Sequence, residues 1–155
     1  MVADQECGSP AANHSPSPVL ARLAAVEDRL CSTPSYNALF DTFLAAAIEL
    51  HGSSLANFHL FDPGTRTLAM VAQRTFPEEF LQVFRTVPLD SDSFCGRALR
   101  GQNAIVVEDV ERDPGYAPFR RIAVAAHYRA VQSTPAASGR GRRSIGRWAS
   151  CGAGE

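Results

Sequence analysis

The first chemistry this 155-residue chain suggests is that of a thiol. Cys95 stands in SFCGRAL, where a Ser or Asp cap and an Ala98–Leu99 face running to Gly101 predict a short helix, so the thiol falls in the first turn. There the helix dipole favours the nucleophilic thiolate. A free cysteine is also a small hydrophobe, and a buried structural role is the reading we favour. Cys7, Cys31, Cys95 and Cys151 form no C-x-x-C pair and no metal spacing. That distribution argues for reduced thiols in a cytoplasmic protein and against structural zinc.

Two histidines and an acidic loop are the other chemical candidates. His59 shares one face of a predicted strand with Asn57 and Phe61, while Ala56, Phe58 and Leu60 share the other. The polar pair therefore points to a pocket or to solvent, and a half-exposed face with no ligand accounts for it equally well. In VEDVERDPGY, Glu108, Asp109 and Asp113 are the right type for a hard cation. No further ligand converges from sequence, so a solvated loop without metal is expected. Four arginines in GRGRRSIGR suit phosphate by charge alone, but Trp148 is the one aromatic near them. No nucleic-acid partner is expected from so weak a signal. The net charge of −1 points the same way, and every one of the 15 basic residues is Arg.

Among the elements that hold these residues, Val19, Leu23, Val26 and Leu30 fall at helical spacing and need a partner surface. Thr33 and Pro34 supply a second helix start, Leu39 to Ile48 make a broad apolar face, and Gly52 offers the cap. SLANFHLFDPGTRTLAMVAQR predicts two antiparallel strands around a tight turn at Asp62, Pro63 and Gly64. PEEFLQVFR predicts a helix with two glutamates in its first turn, then come the Cys95 helix, the strand AIVVEDV, the loop ERDPGYAP, a short helix in RRIAVAAHY and the strand RAVQST. The class is α+β, an antiparallel sheet with helices packed on one side. The most apolar run, LFDTFLAAAIEL, is interrupted by Asp41 and reads as a core helix, so no membrane association is expected, and Asp4 and Glu6 argue against a secretory signal.

Three linked blocks, HGSSLANFHLFDPGTRTLAMVAQRTFPEEFL, SFCGRALRGQNAIVVEDVERDPGY and YRAVQSTP, resemble a GAF domain of the bacterial type found in sensor histidine kinases, over roughly residues 36 to 135. The resemblance implies a sensory or regulatory module that binds a small ligand between the sheet and the loops on one face, as a homodimer through its flanking helices, here Val19 to Leu30. The candidate ligand-binding set is Asn57, His59, Phe61, Cys95, Asp109, Tyr116, His127, Arg129 and Gln132. The CG pair resembles the position where a GAF-fold free methionine sulfoxide reductase carries one of its cysteines. That enzyme needs further cysteines near its substrate loop, and ERDPGYAPFRR has none. His127 lies near where bilin-binding relatives place a His, but no cysteine stands beside it for a thioether. A non-enzymatic sensor without a cofactor is therefore expected, with the thiol enzyme and a pure dimerisation module as alternatives.

The resemblance stops after Pro135. A hairpin partner placed within the sheet, a final strand and a helix should follow RAVQST; the residues are instead AASGRGRR, with four Arg against one acid from 136 to 155. The expected organisation is a disordered segment over 1–18, an incomplete GAF domain over 19–135 and a disordered tail over 136–155. We favour a shifted reading frame or interrupted gene over a natural short variant, since a missing internal strand leaves backbone groups unpaired.

Overall fold

The computed structural model describes residues 17–137 and 144–152. Helix α1, Pro18–Cys31, begins at the proline, whose fixed φ suits the first helical turn. Its neighbour α2, Tyr36–His51, starts after Ser35, whose hydroxyl accepts from the Ala38 N–H, and ends on Gly52 at φ 63°. The start thus lies two residues beyond the expected Thr33–Pro34 signal, because the serine supplies the capping acceptor. No residue of α1 is fully buried. The helix is held to α2 by Arg22, which donates to the Glu49 carbonyl at 2.8 Å, and by an Arg29–Glu49 pair at 3.1 Å.

Strands β1, Leu55–Asp62, and β2, Thr67–Arg74, form the expected hairpin. Asp62 makes its turn by accepting from the Gly64 N–H at 2.8 Å and from the Thr65 hydroxyl at 2.9 Å. A register shift at Phe58/His59 leaves Val71 as the extra residue of β2, so both strands keep their apolar sets on the correct faces. Helix α3, Glu78–Phe84, leads directly into a short strand not expected from sequence, β3, Thr86–Pro88, which pairs with the start of β2. Helix α4, Phe94–Gly101, is capped by Ser93 as expected, but Gln102 rather than Gly101 takes the left-handed position at its end, φ 51°. Strand β4, Ile105–Val107, is followed by the 3-10 turn Pro114–Phe119, helix α5, Arg120–Ala125, and strand β5, Ala130–Ala137.

The last strand corrects the expectation of a tail without regular structure after Pro135. Ala136 and Ala137 continue β5, and Ser144–Gly152 form β6, antiparallel to β5 and to β1. The sheet order is β3-β2-β1-β6-β5-β4. The hairpin partner that the resemblance implies, and that the residues after Ala136 do not advertise, thus occupies an interior place. Sequence periodicity missed it because an interior strand is specified by pairing on both edges more than by its own apolar alternation. The expectation for residues 1–16, and the parts of the tail at 138–143 and 153–155, lie outside the described residues.

The α+β class and antiparallel sheet are as expected, but the helices are divided between both faces. On one, α2 covers Ala56, Phe58, Leu60 and Ala72 with Phe40, Phe43, Leu44 and Ile48. On the other, α3, α4, the 3-10 turn and α5 enclose the larger core of Leu68, Phe76, Phe80, Phe84, Phe94, Leu99, Tyr116, Tyr128 and Val131. Among the described residues, no helix is long and apolar enough to cross a membrane.

Because β6 joins β1 to β5, a chain ending at Ala137 should expose both edges and lose its cooperative transition. Urea unfolding followed by circular dichroism measures this: the shortened chain should show a shallow, featureless profile, whereas a transition like that of the full chain would mean that β6 adds nothing.

Candidate functional site

The alternation of β1 sends Asn57 and His59 toward the larger core, where they are 2% and 1% exposed. Facing them is the N-terminus of α4. Ser93 accepts from the Gly96 N–H at 3.1 Å and shares a 2.8 Å hydrogen bond with the Ser91 hydroxyl, which sets Cys95 in the first turn with its side chain buried. The glycine of the CG pair has a steric cause: a Cβ on Gly96 would lie 2.7 Å from the Ser91 carbonyl oxygen and 2.9 Å from that of Leu89. Only glycine lets the helix approach the preceding loop so closely.

Aromatic rings make the walls. Phe76 stacks on Phe80 at 3.8 Å, Phe80 tilts against Phe84 at 4.5 Å, and Phe94 stacks on Tyr116 at 4.1 Å between centroids. The Tyr116 and Tyr128 hydroxyls meet at 2.5 Å, and His59 Nε2 lies 2.8 Å from the Phe84 carbonyl. A carbonyl only accepts, so Nε2 carries the proton in that contact. Asn57, His59, Phe80, Phe84, Ser93, Phe94, Cys95, Tyr116, Tyr128 and Val131 together line a narrow cavity of about 20 Å³. As it stands it has room for about one water. No charged side chain is among them.

The loop over this cavity is fastened by Asp113. Its carboxylate accepts from Arg97 Nη1 at 2.7 Å and from the Tyr116 N–H at 3.1 Å, and its carbonyl accepts from Arg120 at 3.1 Å. Arg97 also lies over the Phe94 ring, 5.3 Å from its centroid. At the other end of the loop, Asp109 accepts from Arg129 at 2.8 Å, with Arg112 at 3.4 Å. The Glu111 N–H, donating to Asp109, holds that carboxyl below the usual carboxylate range; partial burial opposes the shift and Arg129 reinforces it.

Four of the nine candidate residues therefore converge on the cavity: Asn57, His59, Cys95 and Tyr116. Phe61 lies further along β1, half-buried against the same core. Asp109 and Arg129 are bound to each other in the outer loop, and His127 is exposed at φ 54° beside an outer cleft that it shares with Arg129. Gln132 alternates with Val131, so it occupies the opposite face of β5, where its amide donates to Thr134 at 3.3 Å. The reason is the strand period: one position along β5 exchanges the faces. Phe80, Phe84, Ser93, Phe94, Tyr128 and Val131 were not anticipated; the i, i+4 pair Phe80/Phe84 on one face of α3 was the available signal.

The GAF domain family model matches residues 33–146. The chain belongs to the GAF domain family. No curated protein matches it. Among solved structures it is similar to the GAF domain of an Acinetobacter phosphoenolpyruvate-protein phosphotransferase, at 12% identity over 89% of this chain and 78% of that one, TM-score 0.73. It is also similar to the free methionine-R-sulfoxide reductase of Neisseria meningitidis, solved with its substrate: 20% identity, 90% and 78% covered, TM-score 0.67. A third is a domain of a Sinorhizobium meliloti two-component sensor histidine kinase, described there as putative: 19% identity, 77% and 74% covered, TM-score 0.57. At these identities the GAF fold is what the likenesses share.

Two outcomes follow for this site. Gly96→Ala should destabilise by about 1–3 kcal/mol, since the added methyl meets backbone oxygens that cannot rotate away; the urea midpoint measures it. Asp109, with its folded pKa lowered, contributes stability above the unfolded value of about 3.9 and loses it as pH falls through the folded value. Asp109→Asn should therefore be less stable than the parent at neutral pH, and the two should converge in acid.

Proposed function

We propose that this chain is a sensory or regulatory module of bacterial signal transduction, cytoplasmic, binding a small molecule in the cavity over Asn57, His59 and Cys95 without transforming it. The carrying observation is the lining itself: an aromatic enclosure with a few inward polar groups and, among the described residues, no charge, the composition of a binding site. Its output belongs to a transmitter domain or partner chain, as the likeness to a sensor kinase domain suggests.

The thiol-enzyme alternative fits this lining less well. Sulfoxide reduction by a thiolate passes through a sulfenic acid that a second thiol must resolve. Among the described residues, Cys95 is the one thiol that lines the cavity, and Cys31 is exposed on α1. A free amino acid also brings a carboxylate and an ammonium group, and among the described residues no charged side chain lines the cavity to meet them.

A second reading concerns assembly. Val19, Leu20 and Leu23 are 59%, 60% and 46% exposed on α1. This apolar stripe supports pairing with a second copy as a homodimer, alongside ligand binding.

A thermal-shift screen of small metabolites tests the main reading. A ligand should raise the melting temperature in proportion to its occupancy. Cys95→Ser should keep that response, and neither protein should reduce free methionine sulfoxide; turnover that disappears in Cys95→Ser would establish the enzyme instead.

A further inference from the structure

We infer that Asn57 is the residue that selects the ligand, by accepting a hydrogen bond from it: the ligand is a ring-sized molecule that presents an N–H or O–H donor to Asn57 Oδ1. This deepens the ligand-binding reading above and rests on it.

Asn57 is 2% exposed, and its Oδ1 is buried with no hydrogen-bond partner among the described residues. Native folds rarely leave a buried amide oxygen in that condition without a function for it. The surroundings explain why the fold itself does not satisfy it. In the row across the sheet, Asn57 is paired with Gln73 on β2 and with Ala149 on β6, and Ala149 is paired in turn with Ser133 on β5. Gln73 directs its Oε1 to the Phe76 N–H at 3.1 Å, and Ser133 is itself fully buried with its hydroxyl unpartnered. No charged group lies in that row.

The polar groups on the cavity wall are engaged elsewhere. Ser93 caps α4, the two tyrosine hydroxyls meet each other, and His59 Nε2 donates to Phe84. Asn57 Oδ1 is thus a buried acceptor without a partner among the described residues, on a residue that lines the cavity, and the matching ligand group is a donor. The remaining wall is aromatic, which favours a flat ring by edge and face contacts. The cavity is narrow, and the Phe94 and Tyr116 side chains must part to admit a ring; side-chain rearrangement of this order is common on binding.

Matched probes test the inference on the intact chain. Phenol and toluene have nearly the same shape, as do indole and benzofuran; in each pair only the first carries the donor. Titrations followed by amide chemical shifts should show phenol and indole binding at least about tenfold more tightly than their partners, although toluene and benzofuran are the more apolar. In Asn57→Leu, checked for folding by circular dichroism, the preference should vanish. Equal binding of the two members of each pair to the parent chain would overturn the role of Asn57 while leaving the pocket in place. Binding by none of the four would overturn the ring-ligand inference, and the metabolite screen then judges the pocket separately. Should Asn57→Leu fail to fold, the comparison within the parent chain still decides.

Discussion

The structure depends on β1 being buried on both faces. Ala56 and Phe58 pack against α2, while Asn57 and His59 face the aromatic core, and all four are less than one-tenth exposed. A strand in that position cannot shift its register by one residue. Such a slip would drive Phe58 into the cavity and place an amide and an imidazole against the apolar face of α2, where burying each without a partner costs on the order of 1–3 kcal/mol. The bulge opposite Phe58/His59 keeps β2 in phase with both demands.

Around that strand the cavity is assembled from pieces distant in the chain, each with a local reason for its place. The Ser93 cap and the bare Gly96 allow α4 to press its first turn against the Leu89–Ser91 backbone. Asp113 ties the 3-10 turn to Arg97 on α4 and so carries Tyr116 to Tyr128. That ion pair is partly buried, with Asp113 13% exposed, and the carboxylate also receives a backbone N–H. It acts as a fastening more than as a source of net stability, because the cost of desolvating two charges offsets much of their attraction. The outer pair of Asp109 and Arg129 secures the other end of the same loop without entering the cavity.

Cys95 shows the same division between local and tertiary causes. It stands in the first turn of α4, and Phe80, Phe84 and Phe94 line the cavity around it. Position along the helix was visible in SFCGRAL; the enclosure was not, since its rings come from α3, α4 and the 3-10 turn. The same holds for β6. GRGRRSIGR and its continuation have no strand period, yet Ser144–Gly152 pairs on both sides, with β1 and with β5. Hydrogen bonds along two edges stabilise an interior strand whose composition is a poor guide to it.

The residues alone determined the helices with their caps, the Asp62–Gly64 hairpin, the α+β class and the family likeness, because capping, turn chemistry and hydrophobic period are local and act over a few positions. They also placed Asn57, His59, Cys95 and Tyr116 on elements that could share a site. Tertiary structure alone decided that these four meet, that Asp109, His127, Arg129 and Gln132 stay outside, and that helices cover both faces of the sheet. Convergence depends on which strands are neighbours and which face each position takes. Those are properties of pairing between segments up to about ninety residues apart, such as Phe58 with Trp148, and no local pattern carries them.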